Sequence, residues 1–166
     1  DLTVLHEPKL IILDEPFSGL DPVNSNLIKE EIHKLAKKGC TIIFSTHRME
    51  QVEEICDQII LVNKGRKILD GSVTQVKKEF KENHFHIDFD HHPDILTNSG
   101  TFDIISREEH GLVVKIKEGH TTNEVLQHFI EQGTIIKEFH EILPSLSDIF
   151  IRLVGDTATA RQFQTV

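Results

Sequence analysis

Apolar residues along the 166-residue chain change period as they go, and the changes mark its elements. Leu10-Ile11-Ile12-Leu13 is an uninterrupted apolar run that closes on two acids, Asp14 and Glu15. Such a run predicts a parallel strand buried on both faces, because helices cover both sides of a parallel sheet. Pro16 has no N–H and stops the ladder. A second run, Thr41 to Phe44, ends in Ser45-Thr46-His47. A third, Gln58 to Val62, precedes Asn63-Lys64-Gly65-Arg66, and a short fourth, Lys67 to Leu69, ends at Asp70-Gly71. Between the first two, a helix is predicted: Asp21 can cap it, Pro22 suits its first turn and Gly39 can end it. Leu27, Ile28, Ile32 and Leu35 would line one face, with Lys37 and Lys38 in the last turn, where cations suit the helix dipole. A second short helix follows His47, with Val52, Ile55 and Cys56 at helical spacing. Strand, helix, strand, helix, strand is a βαβ pattern and argues a parallel sheet.

The second half has a different grammar. Lys77 to Glu82 reads as a charged helical connector. His84 to Asp90 alternates strictly and predicts a half-buried strand with Phe85, Ile87 and Phe89 inward. Thr101–Ser106 and Leu112–Lys117 predict a hairpin across Glu108 to Gly111. Thr121 or Thr122 can cap a helix with Val125, Leu126, Phe129 and Ile130 on one face. Ile135 to Phe139 is a further strand, and Pro144-Ser145-Leu146 opens a last helix carrying Ile149, Phe150 and Leu153. The fold class is therefore α/β: a partial parallel sheet with helices, then a small α+β domain of order βββαβα. The tail from Gly155 is polar and expected to fray.

Charge separates the halves again. Residues 1–80 hold 11 basic and 13 acidic side chains, and residues 81–166 hold 7 and 14. The overall charge of −9 and the acidic second half argue against a nucleic-acid or anionic-lipid surface. No apolar stretch approaches the roughly 18 residues of a membrane span. Cys40 and Cys56, both in apolar settings, read as buried, reduced thiols of a cytosolic protein.

Candidate chemistry begins at Asp14 and Glu15. Ligands of open α/β sheets bind outside the carboxyl ends of the strands. Neighbouring strand residues point to opposite faces, so one acid can hold a cation while the other faces a water as its base. An isolated pair of this kind is more often a solvated acidic turn. This pair has company, because His47 reaches the same sheet edge if the first two strands are neighbours. His84, His86, His91 and His92 cluster with Asp88 and Asp90 and could in principle hold zinc. Alternation, however, puts His84, His86, Asp88 and Asp90 on an outer strand face and His91-His92 in a turn, which favours a solvated face.

Leu10-Ile11-Ile12-Leu13-Asp14-Glu15-Pro16 resembles the Walker B segment of an ABC-type ATPase, and Ser18-Gly19-Leu20-Asp21 is similar to that family's D-loop. Ser45-Thr46-His47 resembles its switch histidine, and Val62 through Gly71 its closing hairpin; order and spacing agree over about 70 residues. Leu143-Pro144-Ser145-Leu146-Ser147-Asp148-Ile149-Phe150 is similar to the C-terminal segment of exporter-type ATP-binding subunits.

The resemblance implies a partial P-loop-type sheet and four roles. Asp14 would hold Mg²⁺, through water, and Glu15 would polarise the attacking water. His47 would contact the γ-phosphate of ATP, while Ser18, Gly19 and Asp21 would serve the nucleotide site, Asp21 across a dimer with a second copy of the subunit. It further implies an integral membrane permease as partner, a place on the inner face of the cell membrane, and export. No G-x-x-x-x-G-K-[ST] loop and no LSGGQ-type signature occur in the chain. Asp1 to Pro8 look like the end of the helix after that signature. The expected organisation is the C-terminal part of the ATPase domain at 1–76, a connector at 77–83, an accessory domain at 84–154 and a tail at 155–166. The chain alone is expected not to hydrolyse ATP. Two other readings stand beside this one: a non-transport ABC ATPase acting on ribosomes or DNA, and a C-terminal regulatory or dimerisation module.

Overall fold

The first two apolar runs pair as parallel strands. The computed structural model of the protein describes residues 7–91 and 98–155, which fall into two compact units: 7–74 with 150–155, and 75–149. In the first unit, β1 (Leu10–Asp14) and β2 (Thr41–Ser45) run parallel with Ile11 opposite Ile42 and Asp14 opposite Ser45. The 16-residue helix α1 (Pro22–Lys37) connects them. Asp21 caps it, Pro22 opens it, and the chain leaves through Lys38 into Gly39 at φ +89°. Ile32 is buried, but Leu27 is exposed and does not join the helix's inner face.

Burial along the strands alternates. Ile11 is buried, and Leu13, Ile42 and Phe44 are half-buried on the same face. On the other face Leu10, Ile12 and Ile43 are exposed, Ile12 at 70%. The expectation of strands buried on both faces thus fails among the described residues. The helix α1 packs against β2, and nothing described covers the Ile12 side.

The third run does not extend the parallel pair. β3 (Gln58–Asn63) pairs antiparallel with β4 (Arg66–Ser72) in a two-stranded sheet of its own. The reason is the turn: Lys64 and Gly65 both have positive φ, +48° and +72°. That is the two-residue loop whose twist matches a hairpin. The fourth run is correspondingly longer than its three apolar residues suggest. Between β2 and β3, α2 (Met49–Ile55) keeps Val52 and Ile55 half-buried, and Lys29 of α1 forms an ion pair with its Glu54. Cys40 and Cys56 are free and half-buried rather than buried. Burial, then the charge of Asp57, pushes the Cys56 thiol up to about 11. Helix α3 (Val73–Glu79) buries Val73 and Val76; it ends inside the expected 77–83 connector, which closes on Asn83 at φ +56°.

The second unit is built on an antiparallel sheet of order β6-β7-β5-β8, from β5 (His84–Phe89), β6 (Phe102–Arg107), β7 (Gly111–Ile116) and β8 (Ile136–Ile142). With α4 (Thr122–Glu131) and α5 (Leu146–Val154) the order is βββαβα, as the sequence predicts. The core joins Ile87, Phe89, Phe102, Leu112, Val114 and Ile116 of the sheet to Val125 and Phe129 of α4. Phe129 lies 5.0 Å from Phe89 and 5.4 Å from Phe102, ring to ring. Thr121 and Glu124 form a reciprocal capping box that starts α4. Ile130 departs from the expected face and is exposed.

The outer face of β5 is less wet than its alternation suggests. His84 and His86 are half-buried, the His86 ring lies 5.0 Å from His140, and its Nε2 is 3.1 Å from Glu108. Among the described residues no group of three or more His, Cys, Asp or Glu side chains is arranged to hold a metal. His92, residues 1–6 and the tail from 156 lie outside the described residues.

Candidate functional site

The register of β1 against β2 builds the site. Asp14 stands opposite Ser45, whose hydroxyl donates to Asp14 Oδ1. One residue on, the Glu15 N–H donates to the Ser45 carbonyl at 3.0 Å. Glu15 then turns into the left-handed region, φ +44°, immediately before Pro16. For a non-glycine residue this costs on the order of 1–3 kcal/mol, and surrounding contacts must hold it. Phe17 supplies them. It is 1% exposed and meets the edge of Phe44 of β2 at 5.8 Å and 83°. The turn closes through the Ser18 N–H to the Glu15 carbonyl, 3.0 Å, and the Leu20 N–H to the Phe17 carbonyl, 3.4 Å, with Gly19 at φ +71°.

The bend at Glu15, just past the end of β1, brings its side chain to the segment after β2. Glu15 Oε1 accepts from the His47 backbone N–H at 3.0 Å and lies 2.7 Å from His47 Nδ1. Its Oε2 accepts from the Thr46 hydroxyl at 3.2 Å. Burial pushes the Glu15 carboxyl up, but the hydrogen bonds from His47 and Thr46 and the charge of His47 outweigh it and hold the group below its ordinary value. Glu15 is therefore an ionised, oriented carboxylate. With Nδ1 turned to Glu15, His47 has Nε2 for a ligand, and its side chain is two-thirds exposed.

Asp21 does a different job here. Its Oδ1 accepts from the backbone N–H of Val23 and Asn24 at 2.9 and 3.0 Å, and its Oδ2 from the Asn24 amide at 2.6 Å. The Asn24 backbone bond leads the interactions that hold its carboxyl below the ordinary aspartate range. The structure thus brings Asp14, Glu15 and His47 to one sheet edge. Ser18 and Gly19 sit exposed in the adjoining turn, and Asp21 at the start of α1. Sequence reasoning missed Phe17 as the anchor of this turn. It took Ser45 and Thr46 only as marks of resemblance, although both hydroxyls bond the paired acids. The signal available was their place: two hydroxyl residues at the end of the neighbouring strand.

The donor set fits a hydrated Mg²⁺, a hard cation that keeps several waters and takes one or two carboxylates rather than a full protein cage. Asp14 would hold it, with one oxygen already fixed by Ser45. The triphosphate fits less completely, because the sequence contains no glycine-rich phosphate loop.

Residues 71–154 match the family model described as ATP-binding protein DrrA1-3-like, C-terminal domain. The chain belongs to the ATP-binding proteins of ABC transporters. Among relatives, it is 35% identical to an uncharacterized ABC transporter ATP-binding protein of Alkalihalophilus pseudofirmus, over 92% of this chain and 57% of that protein. It is 38% identical to the uncharacterized ABC transporter ATP-binding protein YhaQ of Bacillus subtilis, over 92% and 51%. It is 28% identical to the bacitracin transport ATP-binding protein BcrA of Bacillus licheniformis, over 92% and 51%. The chain spans about half the length of these curated relatives. No helix among the described residues is long and apolar enough to cross a membrane.

Proposed function

We propose that this chain is the water-and-metal side of the ATPase site of an ABC exporter subunit, which works as a pair of copies on the cytoplasmic face of a membrane permease. The observation that carries the reading is the fixed Glu15–His47 pair beside Asp14 at one strand edge. The bacitracin transport role named for one relative supports transport, and the Nod factor export role named for another, 44% identical over 41% of this chain, supports export. Phosphoryl transfer depends on positioning and charge neutralisation more than on covalent chemistry. Mg²⁺ bound at Asp14 would neutralise charge on the transferring group. Glu15, ionised and held by His47 and Thr46, orients the attacking water and takes up its proton. His47 offers Nε2 to the γ-phosphate, Ser18 and Gly19 border the nucleotide, and Asp21 reaches the second copy. The remaining half of the full-length protein would supply the phosphate loop and cover the Ile12 face of the sheet. The domain limits proposed are 1–76 for the ATPase part and 84–154 for the accessory domain, with 77–83 between them.

The test uses the full-length protein. Glu15→Gln keeps ATP binding, lowers turnover by at least about 10²-fold and lengthens the life of the ATP-bound dimer. ATPase rates and size-exclusion profiles with ATP read both effects. Unchanged turnover would remove Glu15 from this role.

A further inference from the structure

The Thr46 hydroxyl that bonds Glu15 has two further polar neighbours. Thr46 Oγ1 lies 3.2 Å from Glu15 Oε2 and 3.3 Å from Gln51 Oε1, and it accepts the Arg48 backbone N–H at 3.2 Å. A threonine hydroxyl has a single proton and so satisfies one of the two acceptors. A carboxylate accepts more strongly than a neutral amide, so the proton belongs to Glu15. The Gln51 amide then turns its N–H₂ toward Thr46, a choice the heavy atoms allow because amide oxygen and nitrogen are assigned from their partners. The Arg48 N–H takes a further lone pair of the hydroxyl. The result is a directed chain: the Gln51 amide donates to Thr46, and Thr46 donates to Glu15. Thr46 is half-buried, so water replaces its bond poorly.

We infer that Thr46, oriented by Gln51 and the Arg48 N–H, is a positioning residue that fixes the second oxygen of Glu15 for the attacking water. The inference rests on the proposed role of Glu15. His47 holds Oε1 by two contacts from one side. With one oxygen held, the carboxylate can still swing about that anchor; with Oε2 held as well, its plane is set. Positioning of this kind changes the chemical step and leaves nucleotide binding alone, because Thr46 bonds to Glu15 and not to a phosphate-binding group.

The test is a series in the full-length protein, reading steady-state ATPase parameters. Thr46→Val, isosteric but without the hydroxyl, lowers kcat about tenfold, the loss expected of one hydrogen bond to a charged group, with KM for ATP within about twofold. Thr46→Ser, which restores the donor, recovers turnover to within about threefold. Gln51→Leu falls between the two. A Thr46→Val variant with wild-type kcat overturns the inference, and so does equal loss in Thr46→Val and Thr46→Ser, which marks a packing role. Glu15→Gln is run alongside: if it keeps turnover, the parent reading falls, and if it is inactive while Thr46→Val keeps the wild-type kcat, only the inference does.

Discussion

Asp21 shows what a single side chain does for the start of a helix. It closes three hydrogen bonds at the start of α1 and satisfies backbone donors that the helix cannot. Asp21→Ala is expected to lower the melting temperature by roughly 2–5 °C, with Asp21→Asn keeping most of the loss at bay. The pH dependence has a definite sign. The folded-state pKa lies below the ordinary value of 3.8, so the contribution is complete above that value and fades as pH falls through it toward the folded one. Wild type and Asp21→Ala melting curves should therefore separate at neutral pH and converge in acid; curves that stay parallel down to acid unfolding would refute the capping account. Asp21 was legible as a cap because its position before Pro22 is a local signal. Phe17 was not, since an apolar residue in a turn declares its partner Phe44 only when β1 and β2 lie side by side.

At the scale of elements, close strand pairing decides what each position tolerates. Gly111 is buried at the start of β7, opposite Asp88 of β5. A Cβ there would stand 2.5 Å from the Ile87 carbonyl, a backbone atom that cannot turn away. Gly111→Ala is expected to destabilise the protein by about 1–3 kcal/mol, read as a lower urea midpoint. Gly100→Ala, where a Cβ meets nothing within 4 Å, is the matched control and should be near neutral. Equal effects of the two would show that strand contact is not the cause. Periodicity located nearly every element, because burial on one face imposes a period of two on strands and of 3.6 on helices. Pairing was harder to read. β3 carries the same apolar run as a parallel strand, so periodicity alone does not mark the hairpin; the resemblance of Val62 through Gly71 to a closing hairpin does, while the positive φ of Lys64 has no strong mark in a lysine. Ile130 and Leu27 sit at core spacing and are exposed all the same.

For the whole molecule, the exposed sheet face and the acidic strand edge point the same way. Leu10, Ile12 and Ile43 form an apolar face that nothing among the described residues covers, on a parallel pair, an arrangement whose strands are normally covered on both sides. At the edge of that pair stand one carboxylate suited to a hydrated metal and one suited to a water. The backbone N–H cradle and lysine that hold a triphosphate occur nowhere in the sequence. Neighbouring charge does not compensate, because the chain carries a net −9 and repels a polyanion at long range. A strand edge with one carboxylate suited to a hydrated metal and no phosphate cradle has little binding energy to offer MgATP. The chain by itself is therefore expected to bind MgATP no tighter than about millimolar, some −4 kcal/mol, and to show no hydrolysis above the uncatalysed rate. Calorimetric titration of the isolated chain measures the first and phosphate release the second. Micromolar binding would mean that the described residues hold a nucleotide without a glycine-rich loop, and the assignment of Asp14, Glu15 and His47 to only one side of the site would have to be given up.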